Sequence, residues 1–339
     1  MILLFVIISF YSCQSNKKIN NVQLFDVKCE LVCDKEYILG KPNQIALSGS
    51  VLAVIDNGSD SLIHFFDVTK RNLINKGGRI GQGPNEFTII SSFGSYDEGF
   101  GMYDPNLRKY YKVVCNDNSV MIESVFKVDS LIPLNIQSIS NNRFISTGIY
   151  KEGKFCLIDS KGKIISTIEE WPYRDNAEKE ISNHIKAQAY MPNILVSPSK
   201  DKIVSYSATA DIISFYKVEA DSLELMKEYI NSFPDYDYFN KPKSFRGTSK
   251  KSPFCYLSGS CTDKYAYILY SGKSTQEYND NAFLGNVINV YSWNGDKIAE
   301  LKIDKELNSI CISLDGSIIY GIAYMPEPTL VKINIPQFY

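Results

Sequence analysis

Residues 51–67 read VLAVIDNGSDSLIHFFD, and this stretch decides the fold. An apolar run, 51–55, meets Asp56-Asn57-Gly58-Ser59-Asp60 and resumes at 62–66. Asp, Asn, Gly and Ser each favour turns by their own mechanism, so two strands joined by a tight connection are the direct reading. The same grammar recurs at 99–114 (GFGMYDPNLRKYYKVV), where Asp104-Pro105-Asn106 makes the turn. Further copies occupy 143–159, 202–218, 265–293 and 317–334, and a shorter apolar stretch precedes several of them (43–47, 136–139, 194–197, 310–313). Units of three or four strands at spacings of about 45–60 residues have the period of a β-propeller. One such sheet leaves its faces exposed, whereas six arranged radially cover one another. The expectation is an all-β, six-bladed propeller.

Closure needs one more strand. Residues 335–339 are too few to complete the sixth unit, while 22–32 (VQLFDVKCELV) alternates like a strand ahead of the first. That segment is expected to supply the outer strand of blade six, leaving no open edge at the seam. One helical insertion is expected between blades three and four. Asp175 and Glu178 form a capping-box pattern, and Ala177, Ile181, Ile185 and Ala189 repeat every fourth residue, which predicts a helix over 176–190. Residues 232–252, rich in Tyr, Pro and Lys, read as a long loop.

The 339 residues carry a net charge of −2 and are 13% aromatic, including 23 Tyr and 18 Phe. Tyr, Phe and β-branched residues suit a pleated, half-buried surface. The charge balance gives no reason to expect nucleic acid as a partner. Residues 2–10 (ILLFVIISF) have the length of a signal-peptide core and are too short to span a bilayer. Ser12, Cys13 and the polar residues that follow resemble a bacterial lipoprotein signal, which implies a signal peptide at 1–12, a lipidated Cys13 with a short tether at 13–21, and a propeller at 22–339. No acidic run follows Cys13, which favours an outer-membrane anchor facing the periplasm over surface export. Membrane contact is then expected through the lipid alone.

Seven cysteines remain after Cys13. Cys255 and Cys261 flank Gly259 and are the best disulfide candidates if Gly259 makes a turn; otherwise the cysteines read as small buried hydrophobes. With His64 and His184 the sole histidines, a Cys/His metal site and a histidine-based mechanism are not expected, nor is a cofactor. His64, inside LIHFF, reads as a packed residue.

The densest motif is GGRIGQGPNEF at 77–87. It lacks the GK[ST] and the following helix of a phosphate loop. Its core, Gly81, Gly83, Pro84, Glu86 and Phe87, resembles the blade-to-blade connection of TolB-like and NHL-like six-bladed propeller lipoproteins of Gram-negative anaerobes. The resemblance implies a turn that packs Phe87 between blades, and a cell-envelope address. It implies no activity, since propellers host both enzymes and binding modules.

Candidate channel or ligand contacts are Asp56 and Asp104, at equivalent strand ends, and a rim of Tyr236, Tyr238, Phe239, Lys241, Lys243 and Arg246. Oxygen ligands such as Asp56 and Asp104 suit Ca²⁺, but later units carry Gly148, Ser207, Ser271 and Ala323 at those places, so no ring of carboxylates forms. The preferred reading is a non-enzymatic envelope lipoprotein that binds a protein, peptide or glycan at one mouth. The alternatives are a metal-assisted hydrolase or lyase on the same fold, and a structural subunit of an envelope complex.

Overall fold

Each of the six units becomes the middle pair of strands in an antiparallel sheet. The computed structural model describes residues 22–338 apart from 34–36, 82, 84, 85, 118 and 241. Blade one runs outward from the axis as Pro42–Ser48, Val51–Asp56, Ile63–Asp67 and Asn72–Gly77. Blades two, three and four repeat that order from inner strands Ser92–Tyr96, Ile132–Ile139 and Pro192–Val196. Middle strands are buried on both faces, which is why they read as continuous apolar runs, whereas outer strands such as Asn72–Gly77 are only partly covered.

Blades five and six form one eight-stranded sheet. The 16-residue strand Lys297–Ile312 joins them. Its first half pairs with Gly285–Ser292 as the outer strand of blade five, and its second half pairs with Ile318–Tyr324 as the inner strand of blade six. Segment 22–32 divides rather than forming a single strand. Gln23–Val27 lies parallel to Lys297–Ile312 as an extra edge strand on blade five, and Cys29–Leu31 alone pairs with Pro328–Asn334 to complete blade six.

Every pair of neighbouring blades shares an apolar cluster. The seam between blades six and one joins Tyr320, Ile322 and Leu330 to Ile45, Leu52 and Phe66, so the ring is closed by the same packing that builds its other interfaces. Side-chain hydrogen bonds stitch neighbours together near the axis. Asn308 Nδ2 donates to Pro42 O (2.9 Å), Gln44 Nε2 to Ile90 O (2.9 Å), Ser92 Oγ to Ile136 O (3.0 Å) and Thr147 Oγ1 to Pro192 O (3.0 Å).

Two sequence expectations need correction. Gly259 makes no turn: Pro253–Cys261 is one strand, and Cys255 and Cys261 are both free thiols. The predicted helix breaks into Asn176–Lys179 and Asn183–Tyr190, because the first turn ends at Glu180 and Ser182 begins the second. Both pieces lie between blades three and four. No described helix is long and apolar enough to cross a membrane.

Phe66 is fully buried at the seam, its ring edge-on to Tyr37 at 5.0 Å. Phe66→Ala is expected to cost about 3–5 kcal/mol in chemical denaturation, the range for emptying a large aromatic site. A loss below about 1 kcal/mol would show that the seam is not packed as described.

Candidate functional site

Asp56 and Asp104 sit at matching ends of the second strands of blades one and two, both fully buried. Asp56 accepts the amides of Gly40 (2.8 Å), Lys41 (2.7 Å) and Gly58 (3.0 Å). Asp104 accepts the amides of Thr88 (2.7 Å), Asn106 (2.9 Å) and Leu107 (3.0 Å), and the Thr88 hydroxyl (2.8 Å). Each carboxylate ties the turn of its own hairpin to the connection that enters the same blade. Their oxygens serve backbone amides and the Thr88 hydroxyl, which gives both carboxylates a turn-anchoring role. Asp and Asn at these positions are turn chemistry of the kind their side chains favour.

His64 packs beside Asp56. Its Nε2 lies 3.0 Å from Ser59 Oγ, 3.1 Å from Ser61 O and 4.0 Å from Asp56 Oδ2. Burial, with Lys76 nearby, holds its pKa below the usual value of 6.5. Among the described residues, no group of three or more His, Cys, Asp or Glu side chains is placed to hold a metal.

The glycine-rich connection folds back on itself. Arg79–Ile80 pairs in parallel with Glu86–Phe87, and Glu86 Oε2 accepts the Gly83 amide at 2.6 Å. A Cβ on Gly81 would stand 2.1 Å from that carboxylate oxygen, so a side chain there would require the Glu86 carboxylate to shift. Phe87 is fully buried among Ile55, Leu62 and Phe65 of blade one and Phe100, Met102 and Tyr111 of blade two. Pro84 lies outside the described residues.

The expected aromatic rim is largely a packed cap. Tyr236 and Tyr238 are buried with Trp171, Tyr190 and Ile185 from the helical insertion. Arg174 lies over the Tyr238 ring at 4.5 Å and donates through Nε to Glu178 Oε2 at 3.2 Å. Glu178 is fully buried, and it also accepts the Arg174 amide (2.7 Å) and the Tyr190 hydroxyl (3.0 Å). Tyr238 donates to the N-cap carboxylate of Asp175 at 2.9 Å. Glu178 thus serves the amide of Arg174, one residue before the position a capping box would use. Phe239, Lys243 and Arg246 stay exposed, and Lys241 lies outside the described residues.

The arrangement best suited to a ligand was not read from the sequence. At the lower face, opposite the cap on the upper one, all six inner strands converge on one channel mouth of about 380 Å³. Its walls mix small, apolar and uncharged polar residues, including Ala46, Gly94, Ser95, Gln137, Ser260 and Ile310. Charge appears at the turns, where Asp97 and Lys200 line the opening. Leu314, beside them, is 81% exposed. The signal lay in the inner strands, but any one contributes too few residues to reveal a shared cavity.

A family model described as TolB-like 6-blade propeller-like matches residues 22–315. No match to a curated protein sequence is found. Among solved structures, a Bacteroides fragilis protein described as exported has a TM-score of 0.55 at 13% identity, covering 93% of this chain and all of the other. The Cps50 (Swd1) β-propeller domain of Myceliophteria thermophila gives 0.51 at 10% identity, with 91% and 100% covered. Kuenenia stuttgartiensis hydrazine synthase gives 0.50 at 11% identity, with 89% and 97% covered. At these identities the likeness establishes the fold.

His64 sets a pH dependence. Its folded pKa is below its unfolded one, so the unfolded chain binds the proton more readily as pH falls. Its contribution to stability is complete above pH about 6.5 and is lost as pH falls from there through the folded value. Denaturation midpoints of wild type and His64→Gln between pH 7 and pH 5 should therefore diverge, with wild type losing more; parallel curves would contradict a neutral, buried His64.

Proposed function

The chain belongs to the TolB-like six-blade propeller-like family, and on that premise we propose that it is a periplasm-facing lipoprotein whose propeller binds a protein or peptide partner at the lower channel mouth. The body is a β-propeller binding or scaffold module. The observation that carries the reading is the channel mouth itself, where all six blades contribute walls of small, apolar and uncharged polar residues and charge is confined to the rim. Such a funnel fits an inserted side chain or turn, since its apolar residues reward burial, its uncharged polar groups can hydrogen-bond the insert, and rim charges set orientation. Leu314 offers an exposed apolar contact at the edge. The anchor rests on the lipoprotein-like run ending at Cys13, which lies outside the described residues. A metal-assisted hydrolase draws no support from Asp56 and Asp104, whose oxygens serve backbone amides.

Gly94 allows a clean test. A Cβ there meets nothing closer than Gln137 Nε2 at 3.6 Å, so a larger side chain fills the lumen without backbone strain. With a photo-crosslinking residue at position 314 in intact membranes, a partner should be captured by wild type and lost in Gly94→Phe, while the thermal midpoint stays within a few degrees. Equal capture by both proteins would remove the mouth as the site. Mass spectrometry of the mature N-terminus should find a diacylated or triacylated Cys13; an unmodified start elsewhere would remove the anchor.

A further inference from the structure

A second cavity, of about 380 Å³, opens between blades four and five, shares no lining residue with the channel mouth and is not used by the reading above. Four tyrosines wall it: Tyr229, Tyr256, Tyr270 and Tyr291. Tyr256 and Tyr270 meet edge-on at 5.4 Å, and Tyr229 and Tyr291 are tilted at 6.3 Å. Burial pushes the Tyr291 phenol up to about 12 and raises those of Tyr256 and Tyr270, so the rings are neutral.

The polar groups are unbalanced toward acceptors. Lys297 is paired with Glu300 at 2.9 Å, and Lys227 beside Tyr229 is paired with Asp296 at 2.7 Å. Asp211 accepts the Tyr256 hydroxyl through Oδ1 at 2.7 Å, and among the described residues no cation pairs with it. Asn289 lines the same cavity, is 6% exposed, and among the described residues its Oδ1 has no hydrogen-bond partner. A buried acceptor without a donor is unusual in a native structure and calls for one. One uncompensated carboxylate, an orphan amide oxygen and several aromatic faces together match a positively charged donor group on an apolar stem.

We propose that the cavity between blades four and five binds an organic cation, a guanidinium or alkylammonium group carried on an apolar chain. The aromatic walls hold the stem and face the charge, Asp211 neutralises it, and Asn289 accepts one of its hydrogens. A neutral polyol lacks the charge that Asp211 requires.

Calorimetric titration of the full chain in detergent tests this with N-acetyl-arginine amide against N-acetyl-citrulline amide, which differ at the tip by the charge. The arginine derivative should bind at least about 10-fold more tightly. Asp211→Asn, which keeps the bond to Tyr256, should weaken it about 10-fold or more, and Asn289→Asp should strengthen it several-fold. The gain of affinity in Asn289→Asp cannot arise from misfolding. Equal binding of the two derivatives, indifference to Asp211→Asn, or no heat from the arginine derivative at about 10 mM would overturn the proposal.

Discussion

A ring of wedges is stable when its last interface closes, and here that closure falls to three residues. Cys29–Leu31 lies against Pro328–Asn334, joining chain segments about as far apart in sequence as the fold allows. The clasp is held from several sides. Val32 N donates to Leu330 O at 3.1 Å, Cys29 N to Asp304 Oδ1 at 2.9 Å, and Arg71 reaches Val32 O and Leu31 O at 3.1 and 3.2 Å. Glu30 pairs with Lys332 at 3.3 Å, and the Tyr37 hydroxyl accepts the Leu330 amide. Beneath it, Ile322 and Leu330 bury against Leu52 and Phe66. The other five interfaces form between neighbours in sequence, at low loop-closure cost. This one requires the ends to meet, so it is the most non-local contact in the fold and carries the largest loop-closure cost.

The hairpins at the heart of each blade were legible because both of their faces are buried and their turns carry specific chemistry. Val51–Asp56 and Ile63–Asp67 could hardly be anything else once DNGSD separated them. The fusion of blades five and six was not legible. Asp304, Asn308 and Ser309 are turn-forming residue types where Lys297–Ile312 passes from one blade to the next, so the two sheets read as separate units although the strand runs on unbroken. The split of 22–32 at Lys28 depends on which neighbour each half meets, and alternation is silent about neighbours. Gly259 shows the converse error: a glycine between cysteines suggested a turn, yet it sits in a strand where a Cβ would come within 2.8 Å of Leu195 on the next blade.

Site residues were harder still. Asp56 and Asp104 were visible as a repeated feature, but repetition in this fold marks a shared structural duty. Tyr236 and Tyr238 looked like a rim and are instead the underside of a cap built on the pair of half-buried Arg174 and fully buried Glu178. Such a pair is destabilising if broken and fixes the cap in one arrangement. The upper face is thereby elaborate and committed to its own packing, whereas the lower face is built from short turns around an open mouth. The side chains of that open mouth are the ones the fold uses least.

Native-state hydrogen exchange tests the closed ring most directly. If the clasp closes the propeller, the amides of Cys29–Leu31 and of their partners in Pro328–Asn334 exchange together, at rates close to those of the buried middle strands of blades one and six. If residues 29–31 exchange at the rate of an unstructured peptide while those middle strands stay protected, the ring does not close through this strand and the account fails.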